Sequence, residues 1–398
     1  MTSRKNAKGR ERPRNFVPFR GLSRPGDFSR RRRFPGTQSS YSEQFNDFVV
    51  TLENLPRPVF ALLLFLLALI PTRSEWRLTP VIWLFFLGDW VLLAALARAG
   101  KSFGPSKPPT LVLAVFRLIP AAFPLPWNLL LQFLGTLLVV YGFWIEPHRI
   151  HVTRQTLRSA KLKTRKPLRV LQLGDLHVER ITRRERQLSE LVRALAPDLI
   201  LFTGDFLNTS YLKDPVTLEQ ARTILSEWRA PLGTFAVMGS PAVDKPENVA
   251  RLLDGLEIRV LRNQTVTLDG DGDRIDLVGI DCTHKPFLDI AALDSCMNGR
   301  PEHFTILLYH SPDLAPEAAR RGVDWQLSGH THGGQVRLPF IGALYAGSLY
   351  GKRFEAGRYQ LDGLTLYVAR GIGMEGKAAP RVRFLCPPEI VLWEVGGP

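Results

Sequence analysis

Acidic and imidazole side chains recur in four short motifs in the second half of this chain. Gly174-Asp175-Leu176-His177 offers a carboxylate and an imidazole, and Gly204-Asp205 offers a second carboxylate. Tyr309-His310-Ser311-Pro312 adds an imidazole, and Gly329-His330-Thr331-His332-Gly333-Gly334-Gln335 adds two more. The spacings Asp-x-His and His-x-His direct both side chains to the same side of an extended segment. The glycines allow the backbone to approach a bound group closely.

Together these side chains match the donors that a pair of divalent ions requires. Two ions about 3.5–4 Å apart need a bridging ligand, with oxygen and nitrogen donors on each side. One carboxylate can bridge, and the other groups can fill the flanks. Such a pair activates a water or hydroxide and clamps the oxygens of a phosphoryl group. The predicted metal ligands are Asp175, His177, Asp205, His310, His330 and His332.

Each motif alone is ambiguous. An Asp-x-His can be a capped turn, a lone histidine is more often structural than a ligand, and Gly-Asp after a strand is common in nucleotide-binding folds. The segment from His330 to Gln335 differs, because two histidines in a glycine-rich turn have few structural reasons to be there. The ordered set of four motifs therefore carries the prediction.

The elements that must position these motifs are short strands. Leu168–Leu173 and Leu199–Thr203 read as strands around a helix over 183–195, so an acidic residue follows each strand of a β-α-β unit. Ligands gather at the carboxyl ends of parallel strands, so we expect the motifs to meet at one edge. Further strands are predicted at Gly233–Met238, Arg274–Ile280, Thr305–Tyr309, Trp325–Ser328 and Leu364–Val368.

On these motifs the chain resembles the calcineurin-like metallophosphoesterase superfamily. Within it, residues 168–396 are similar to a membrane-associated bacterial branch that includes YkuE and UDP-2,3-diacylglucosamine pyrophosphatase-type enzymes, and the segments 366–373 and 381–390 share that resemblance. It implies an α/β fold, a four-layer α/β/β/α sandwich, with two divalent metal ions (Mn, Fe or Zn). By this resemblance Asp175, His177, Asp205 and His332 hold the first ion. Asp205 bridges to the second ion, which His310 and His330 also bind.

The chain departs from the family pattern after its third strand. The family usually has Gly-Asn-His-Asp there, whereas this chain has Gly239-Ser240-Pro241. Ser240 replaces the asparagine that binds the second metal, so it is a weaker candidate ligand. Pro241 replaces the histidine that assists the leaving group, and no catalytic residue is assigned in its place. General acid catalysis typically contributes about 10²–10⁴-fold; Asp244 and His284 are the side chains that could fold back into the site.

The first half of the chain is basic and then strongly apolar. The formal net charge is +15, and the run Arg30-Arg31-Arg32-Arg33 lies in a polar segment that we interpret as a disordered tail, residues 1–50. A twin-arginine export signal is the alternative, although a long polar stretch follows the arginines. Apolar runs at 55–71, 80–97, 111–123 and 127–145 predict a transmembrane region over 51–148 with about four spans. The third run is short and could be re-entrant.

Basic residues predict the orientation of these spans. The tail, the loop after the second run and the segment 149–169 are all rich in Lys and Arg. Four spans place all three on one side, which the positive-inside rule assigns to the cytoplasm. The metallophosphoesterase domain, residues 168–398, is then cytoplasmic. Asp89 and Arg117 are costly in lipid; either they pair with each other, or Arg117 extends its charged end to the membrane surface.

These observations favour a membrane-anchored dimetal phosphoesterase acting on a phosphorylated small molecule or lipid. The alternative is a metal-binding pseudoenzyme, a sensor or scaffold whose catalysis is weakened by Ser240 and Pro241. The three cysteines form no CxxC pair, which argues against a cysteine zinc site. The basic charge flanks apolar runs, so we expect a membrane and no nucleic acid as its partner.

Overall fold

The structure is a computed structural model that describes residues 40–72, 75–164, 166–270, 272–297, 301–376 and 379–398, with side chains from residue 47. Most of the predicted disordered tail lies outside these residues. Its last part was predicted incorrectly, because helix α1 spans Ser40–Glu53. Val49 and Leu52 of α1 are buried, and this apolar contact explains why the helix begins before the predicted boundary.

Each of the four predicted apolar runs forms a helix. The helices are α2 Arg57–Leu69, α3 Thr79–Arg98, α4 Lys107–Ala121 and α5 Trp127–Val140. A π-helical turn, Tyr141–Ile145, and a 3-10 turn, Glu146–His148, extend α5. By length and composition, only Trp76–Arg98 and Trp127–His148 qualify singly as candidate membrane spans among the described residues. A third arises if α1 and α2, bent by 102°, count as one span, so the predicted four are not reached on these criteria.

Hydrogen bonds at the helix ends show in which direction each helix runs relative to the α/β domain that follows it in the chain. The Glu53 carboxylate, beside the start of α2, accepts hydrogen bonds from the Lys107 amide (2.8 Å) at the start of α4. The loop after α3 reaches the domain, since the Phe103 amide donates to Glu179 at 3.0 Å. Lys101 in the same loop donates to the Trp144 carbonyl at the end of α5 (3.1 Å). Hence α2 and α4 run away from the domain, whereas α3 and α5 run toward it.

Two six-stranded mixed sheets form the α/β domain. Their orders are β1-β14-β2-β3-β4-β5 and β12-β13-β9-β8-β7-β6. The strands are β1 His151–Arg158, β2 Leu168–Leu173, β3 Leu199–Phe202, β4 Thr234–Ala236, β5 Ile258–Val260, β6 Gln264–Gly270, β7 Asp273–Gly279, β8 Phe304–Leu308, β9 Trp325–Ser328, β10 Arg337–Leu338, β11 Gly342–Ala343, β12 Gly357–Leu361, β13 Leu364–Val368 and β14 Glu389–Gly396. The helices are α6 Arg183–Leu195, α7 Pro215–Leu225, α8 Pro246–Leu253, α9 Pro286–Met297 and α10 Ala315–Arg320.

Three apolar clusters separate four layers. One lies between the first sheet and helices α6, α7 and α8, and a second joins the facing sides of the two sheets. The third lies between the second sheet and helices α9 and α10. Successive residues alternate between clusters, as Val170 and Leu171 do in β2, because successive side chains of a strand point to opposite faces. The predicted four-layer α/β/β/α sandwich is confirmed.

Candidate metal centre

The six predicted ligands meet at the carboxyl ends of four central strands. Asp175 and His177 follow β2, and Asp205 follows β3 of the same sheet. His310 follows β8 and the pair His330 and His332 follows β9 of the other sheet. Parallel pairing of β2 with β3 and of β8 with β9 brings these ends together. The site therefore lies where the carboxyl ends of strands from both sheets meet.

Within the site the ligand atoms form two groups of three. Asp175, His177 and His332 form one group, and Asp205, His310 and His330 form the other, each with its ligand atoms within 4.8 Å of one another. The facing imidazole nitrogens of His177 and His332 lie 3.1 Å apart. Those of His310 and His330 lie 3.2 Å apart. Such buried imidazole pairs fit two divalent ions, because neutral imidazole and carboxylate are the donors that these ions take.

One carboxylate oxygen lies between the two groups. Oδ2 of Asp205 is 3.3 Å from Nε2 of His310. The same oxygen is 3.5 Å from Nε2 of His177 in the other group. This is the position that a bridging ligand must occupy between two ions.

The backbone around the ligands is strained. Asp175, His177, Asp205, His330 and His332 all have positive φ, between 44° and 70°. Non-glycine residues adopt this conformation at a cost, and such residues cluster at functional sites. Gly204 (φ 96°) supports the turn, since a Cβ there would collide with the backbone of Gly239. The positive φ values bend the backbone into tight turns, and these turns direct the ligand side chains toward the site.

Further hydrogen bonds hold the ligands in place. Nδ1 of His310 donates to the Thr203 carbonyl at 2.8 Å, which leaves Nε2 directed at the site. The Asp175 carboxylate accepts the His330 amide at 2.9 Å. The Asp205 Oδ1 accepts the Ser240 amide at 2.7 Å. Each carboxylate thus keeps one orientation without a bound ion.

Burial and proximity set the charges of these groups. Burial raises the pKa of Asp175 to about 6. Burial also opposes ionisation of Asp205, but the adjacent His310 and His177 hold its pKa below the usual range. Burial alone would lower the pKa of His310, yet the Asp205 carboxylate raises it to about 9. Burial and neighbouring cations keep the pKa of His330 and His332 well below the usual value, so both imidazoles are neutral.

The atypical loop after β4 places Ser240 at the second group. Its hydroxyl is 3.1 Å from Nε2 of His310 and 3.5 Å from Nδ1 of His330. Pro241 is exposed and offers no polar group. Asp244 does not serve as a replacement, because its carboxylate accepts the amides of Asp205 (2.7 Å), Phe206 (3.0 Å) and Gly239 (2.8 Å). Asp244 therefore braces the two ligand loops.

Beside the second group lies an additional imidazole, that of His284. Its ring centroid is 4.7 Å from that of His330 and 6.3 Å from that of His310. Burial lowers the pKa of His284 to about 4. The sequence alone did not decide whether His284 reaches the site. The feature that indicated it could is its place after β7, a parallel neighbour of β8. Of the two candidates for the missing histidine, Asp244 is engaged by backbone amides, and only His284 lies against the ligand imidazoles.

Two groups beside His332 were missed in the sequence. The buried guanidinium of Arg383 lies 3.4 Å from Nδ1 of His332. The carboxylate of Glu375 lies 3.8 Å from Nε2 of the same histidine. Both come from the segment after β13, where no strand or helix spacing points to the site. The segment 381–390 was noted only for its resemblance.

The chain is similar to a known family and to several known proteins. Residues 168–334 match the family model described as calcineurin-like phosphoesterase. The metallophosphoesterase YkuE of Bacillus subtilis is 32% identical over 279 residues, which cover 64% of this chain and 88% of that protein. UDP-2,3-diacylglucosamine pyrophosphatase LpxG of Chlamydia trachomatis is 26% identical over 64% of this chain and 91% of its own length. A Bos taurus transmembrane protein with a metallophosphoesterase domain is 30% identical over 52% of this chain and 49% of that protein.

Proposed function

The chain belongs to the calcineurin-like phosphoesterase family, and we propose that it is a membrane-anchored dimetal phosphoesterase that cleaves a phosphoester or pyrophosphate bond of an amphiphilic substrate. The observation that carries this proposal is the pair of abutting ligand groups with Asp205 Oδ2 between them. The proposed domains are a basic tail, a helical membrane region over 51–148 and a metallophosphoesterase domain over 168–398.

In this proposal each group holds one divalent ion. Asp175, His177 and His332 bind the first, His310 and His330 bind the second, and Asp205 binds both. Ser240 completes the second site through its hydroxyl, which lies within 3.5 Å of both histidines there. Manganese, iron and zinc all accept this mixture of imidazole and carboxylate donors. When bound, such ions supply an activated water and neutralise charge on the phosphoryl oxygens.

The remaining side chains favour substrates with good leaving groups. Pro241 cannot donate a proton to a leaving oxygen. Burial lowers the pKa of His284 to about 4, so its imidazole is neutral at pH 7. In this proposal a neutral imidazole donates a hydrogen bond to the leaving oxygen but does not protonate it. The phosphate that departs from a pyrophosphate, or the aryl oxide that departs from an activated phosphodiester, leaves without such help. The pyrophosphatase LpxG, a distant relative whose named substrate is a diacylated sugar nucleotide, is in keeping with this class.

The helical region supports attachment to a membrane. Trp76–Arg98 and Trp127–His148 are apolar enough and long enough to cross one. Both run toward the α/β domain, so the chain must cross back between them, and α4 is the segment available. Since α2 also runs away from the domain, we propose four crossings with the tail and the domain on the same, cytoplasmic side.

The second candidate is a metal-binding sensor or scaffold. It is favoured by Pro241, which stands where the family usually has its phosphate-contacting histidine. Against it stands the set of three candidate ligands on each side of the site, all buried except the half-buried His330.

One assay separates the two candidates. The full chain, purified in detergent with Mn²⁺, is given an activated aryl phosphodiester and a lipid-linked pyrophosphate. We expect hydrolysis that Asp205→Asn abolishes, with loss of bound metal. Activity retained by Asp205→Asn would contradict the dimetal site, whereas two bound ions without turnover would favour the sensor.

A further inference from the structure

An apolar hairpin protrudes from the domain immediately after the last ligand motif. Strands β10 and β11 pair Arg337 with Ala343 and Leu338 with Gly342, so Pro339, Phe340 and Ile341 form the tip. Phe340 is fully exposed, and Ile341 is 57% exposed. Leu344 and Tyr345, which follow β11, are 59% and 61% exposed. A contiguous exposed apolar patch of this kind marks an interaction surface.

The conformation of the tip gives independent support. Phe340 has φ 65°, a region that a bulky residue rarely adopts and that glycine would occupy without strain. The exposed Phe340 ring buries no apolar surface in the folded domain, while its backbone conformation carries a cost. Transfer of such a side chain from water to an apolar phase is favourable.

The hairpin lies next to the metal centre. A Cβ added at Gly347, directly after the hairpin, would stand 3.3 Å from Nε2 of His330. A Cβ at Gly334 would collide with the Tyr345 carbonyl, so the apolar segment packs against the ligand motif itself. A molecule whose apolar part contacts the tip would therefore have its polar part close to the ligands.

At its base the hairpin joins a candidate membrane helix. The Arg337 amide donates to the Phe384 carbonyl at 2.9 Å. The Phe384 ring packs edge-to-face on Tyr141, with 5.7 Å between centroids. Tyr141 belongs to the candidate span Trp127–His148, whose Phe133 and Leu137 are exposed. The base of the hairpin is thus linked to the exposed apolar side of the candidate span through Phe384, which contacts both.

Basic side chains flank the tip. Lys352 and Arg353 are exposed, and the Lys352 ammonium donates to the Ile341 carbonyl within the tip. An apolar edge beside cations matches the boundary between acyl chains and anionic headgroups. A second copy of this chain could cover the apolar residues, but it would present the same cations and so would not complement them.

We propose that the hairpin tip, Pro339–Ile341 with Leu344 and Tyr345, inserts into the bilayer surface and holds the metal centre at the lipid–water boundary. The proposal rests on the membrane attachment in the proposed function. It gives the site direct access to the phosphate of an amphiphilic substrate that remains in the bilayer.

Fluorescence quenching tests the insertion. The full chain with Cys296→Ser is reconstituted into phosphatidylcholine–phosphatidylglycerol vesicles that contain doxyl-labelled phosphatidylcholine. An environment-sensitive dye is attached at Phe340→Cys, at Leu137→Cys on α5, or at Asp269→Cys. Asp269 lies near the end of β6, beside the start of β7 and so at the edge of the sheet opposite the ligands. The two remaining cysteines are buried. We expect quenching and a blue shift at positions 340 and 137, and neither at position 269.

The outcomes separate this inference from the proposed function. Quenching at 137 but not at 340 would overturn the insertion and leave the membrane attachment intact. Quenching at neither would overturn both, whatever the phosphoesterase assay shows. A blue shift at 340 that depends on protein concentration and resists doxyl quenching would mean that a second copy covers the tip, and would also overturn the insertion.

Discussion

The Asp205 carboxylate lies where the two ligand groups meet, so its charge influences both. The nearest imidazole to this carboxylate is that of His310, 3.3 Å away. The Asp205 charge raises the pKa of His310 to about 9 although burial opposes this. If His310 holds a metal ion as proposed, the ion would take the place of that proton, and ion binding and protonation would compete at Nε2 of His310.

This competition predicts a pH dependence of metal binding. At pH 7 to 9 the binding of Mn²⁺ should release a proton from His310, so the apparent affinity should rise by up to tenfold per pH unit and level off above about pH 9. Titration calorimetry in buffers of different ionisation enthalpy measures the proton released. His310→Asn is the control and should release less. An affinity that is constant over this range would contradict the assignment.

The same pKa shift predicts the opposite trend for the metal-free protein. Free histidine titrates near 6.5, and folding raises the pKa of His310 to about 9. The stabilisation is therefore complete below pH 6.5 and is lost as the pH rises to 9. Thermal unfolding of the metal-free chain should occur at a lower temperature at pH 9 than at pH 6. No such decrease, or the same decrease in His310→Asn, would argue against the ion pair.

Restoring the usual family residues should increase turnover. Ser240→Asn with Pro241→His adds an amide ligand and an imidazole, and general acid catalysis is worth about 10²–10⁴-fold. We expect kcat to rise most for substrates with poor leaving groups, measured by comparing alkyl and aryl phosphodiesters. Ser240→Asn alone is the matched control and should change metal affinity more than leaving-group dependence. An unchanged rate in the double variant would mean that position 241 does not face the substrate.

At this scale the sequence predicts what is local. Asp175 with His177, and His330 with His332, are identified because each pair lies within four residues after a short strand. His284 and Arg383 are isolated in the sequence, and only the packing of the two sheets brings them to the ligands. Their roles could not be predicted without the fold.

Among the elements, the central strands are predictable and the edge strands are not. β2, β9 and β13 have the predicted bounds, because each is a short, largely buried segment in which apolar residues recur between turns. β1 was read only as a basic segment, since it carries Arg154 and Arg158 at exposed positions of an edge strand. Its pairing with β14 depends on residues more than two hundred positions apart, which no local pattern reveals.

A buried ion pair joins the helices of the first half, and pairing was one of the two interpretations left open for Asp89 and Arg117. Nε and Nη2 of Arg117 in α4 donate to the Asp89 carboxylate in α3, at 2.6 and 2.8 Å. Nη1 of Arg117 also donates to the Gln132 carbonyl in α5 at 2.7 Å. Both charged side chains are nearly inaccessible. One polar cluster thus joins three helices and fixes their register.

Breaking this pair from one side should destabilise the bundle strongly. Removing one partner of a buried ion pair typically costs about 3–5 kcal/mol, whereas replacing both by apolar residues is often neutral. We expect Asp89→Ala to lower the unfolding midpoint of the full chain in detergent, and Asp89→Leu with Arg117→Leu to recover most of the loss. Arg98→Leu, at an exposed position of α3, is the control. Equal losses in the single and double variants would show that the charges do not act as a pair.

For the whole molecule, the direction of the helices matters more than their length. α4 has 15 residues, roughly 22 Å at 1.5 Å per residue, less than the hydrocarbon thickness of about 30 Å. The first and third runs therefore fail a length criterion that α3 and the extended α5 meet. Yet α3 and α5 both end at the α/β domain, next to Phe103 and Trp144. Two crossings in the same direction require one between them.

Accessibility to an impermeant reagent can test the resulting topology. Cysteines placed at Trp76 and Leu125, exposed residues in the two turns farthest from the domain, should react with an impermeant maleimide in intact bacterial cells. A cysteine at Asp269 in the α/β domain should react only after the cells are permeabilised, because we propose, from the basic segment 149–169, that this side faces the cytoplasm. Reaction at Asp269 but not at the turns would invert the orientation. If Trp76 and Leu125 reacted from different sides, the number of crossings between them would be odd, and α4 would not be a span.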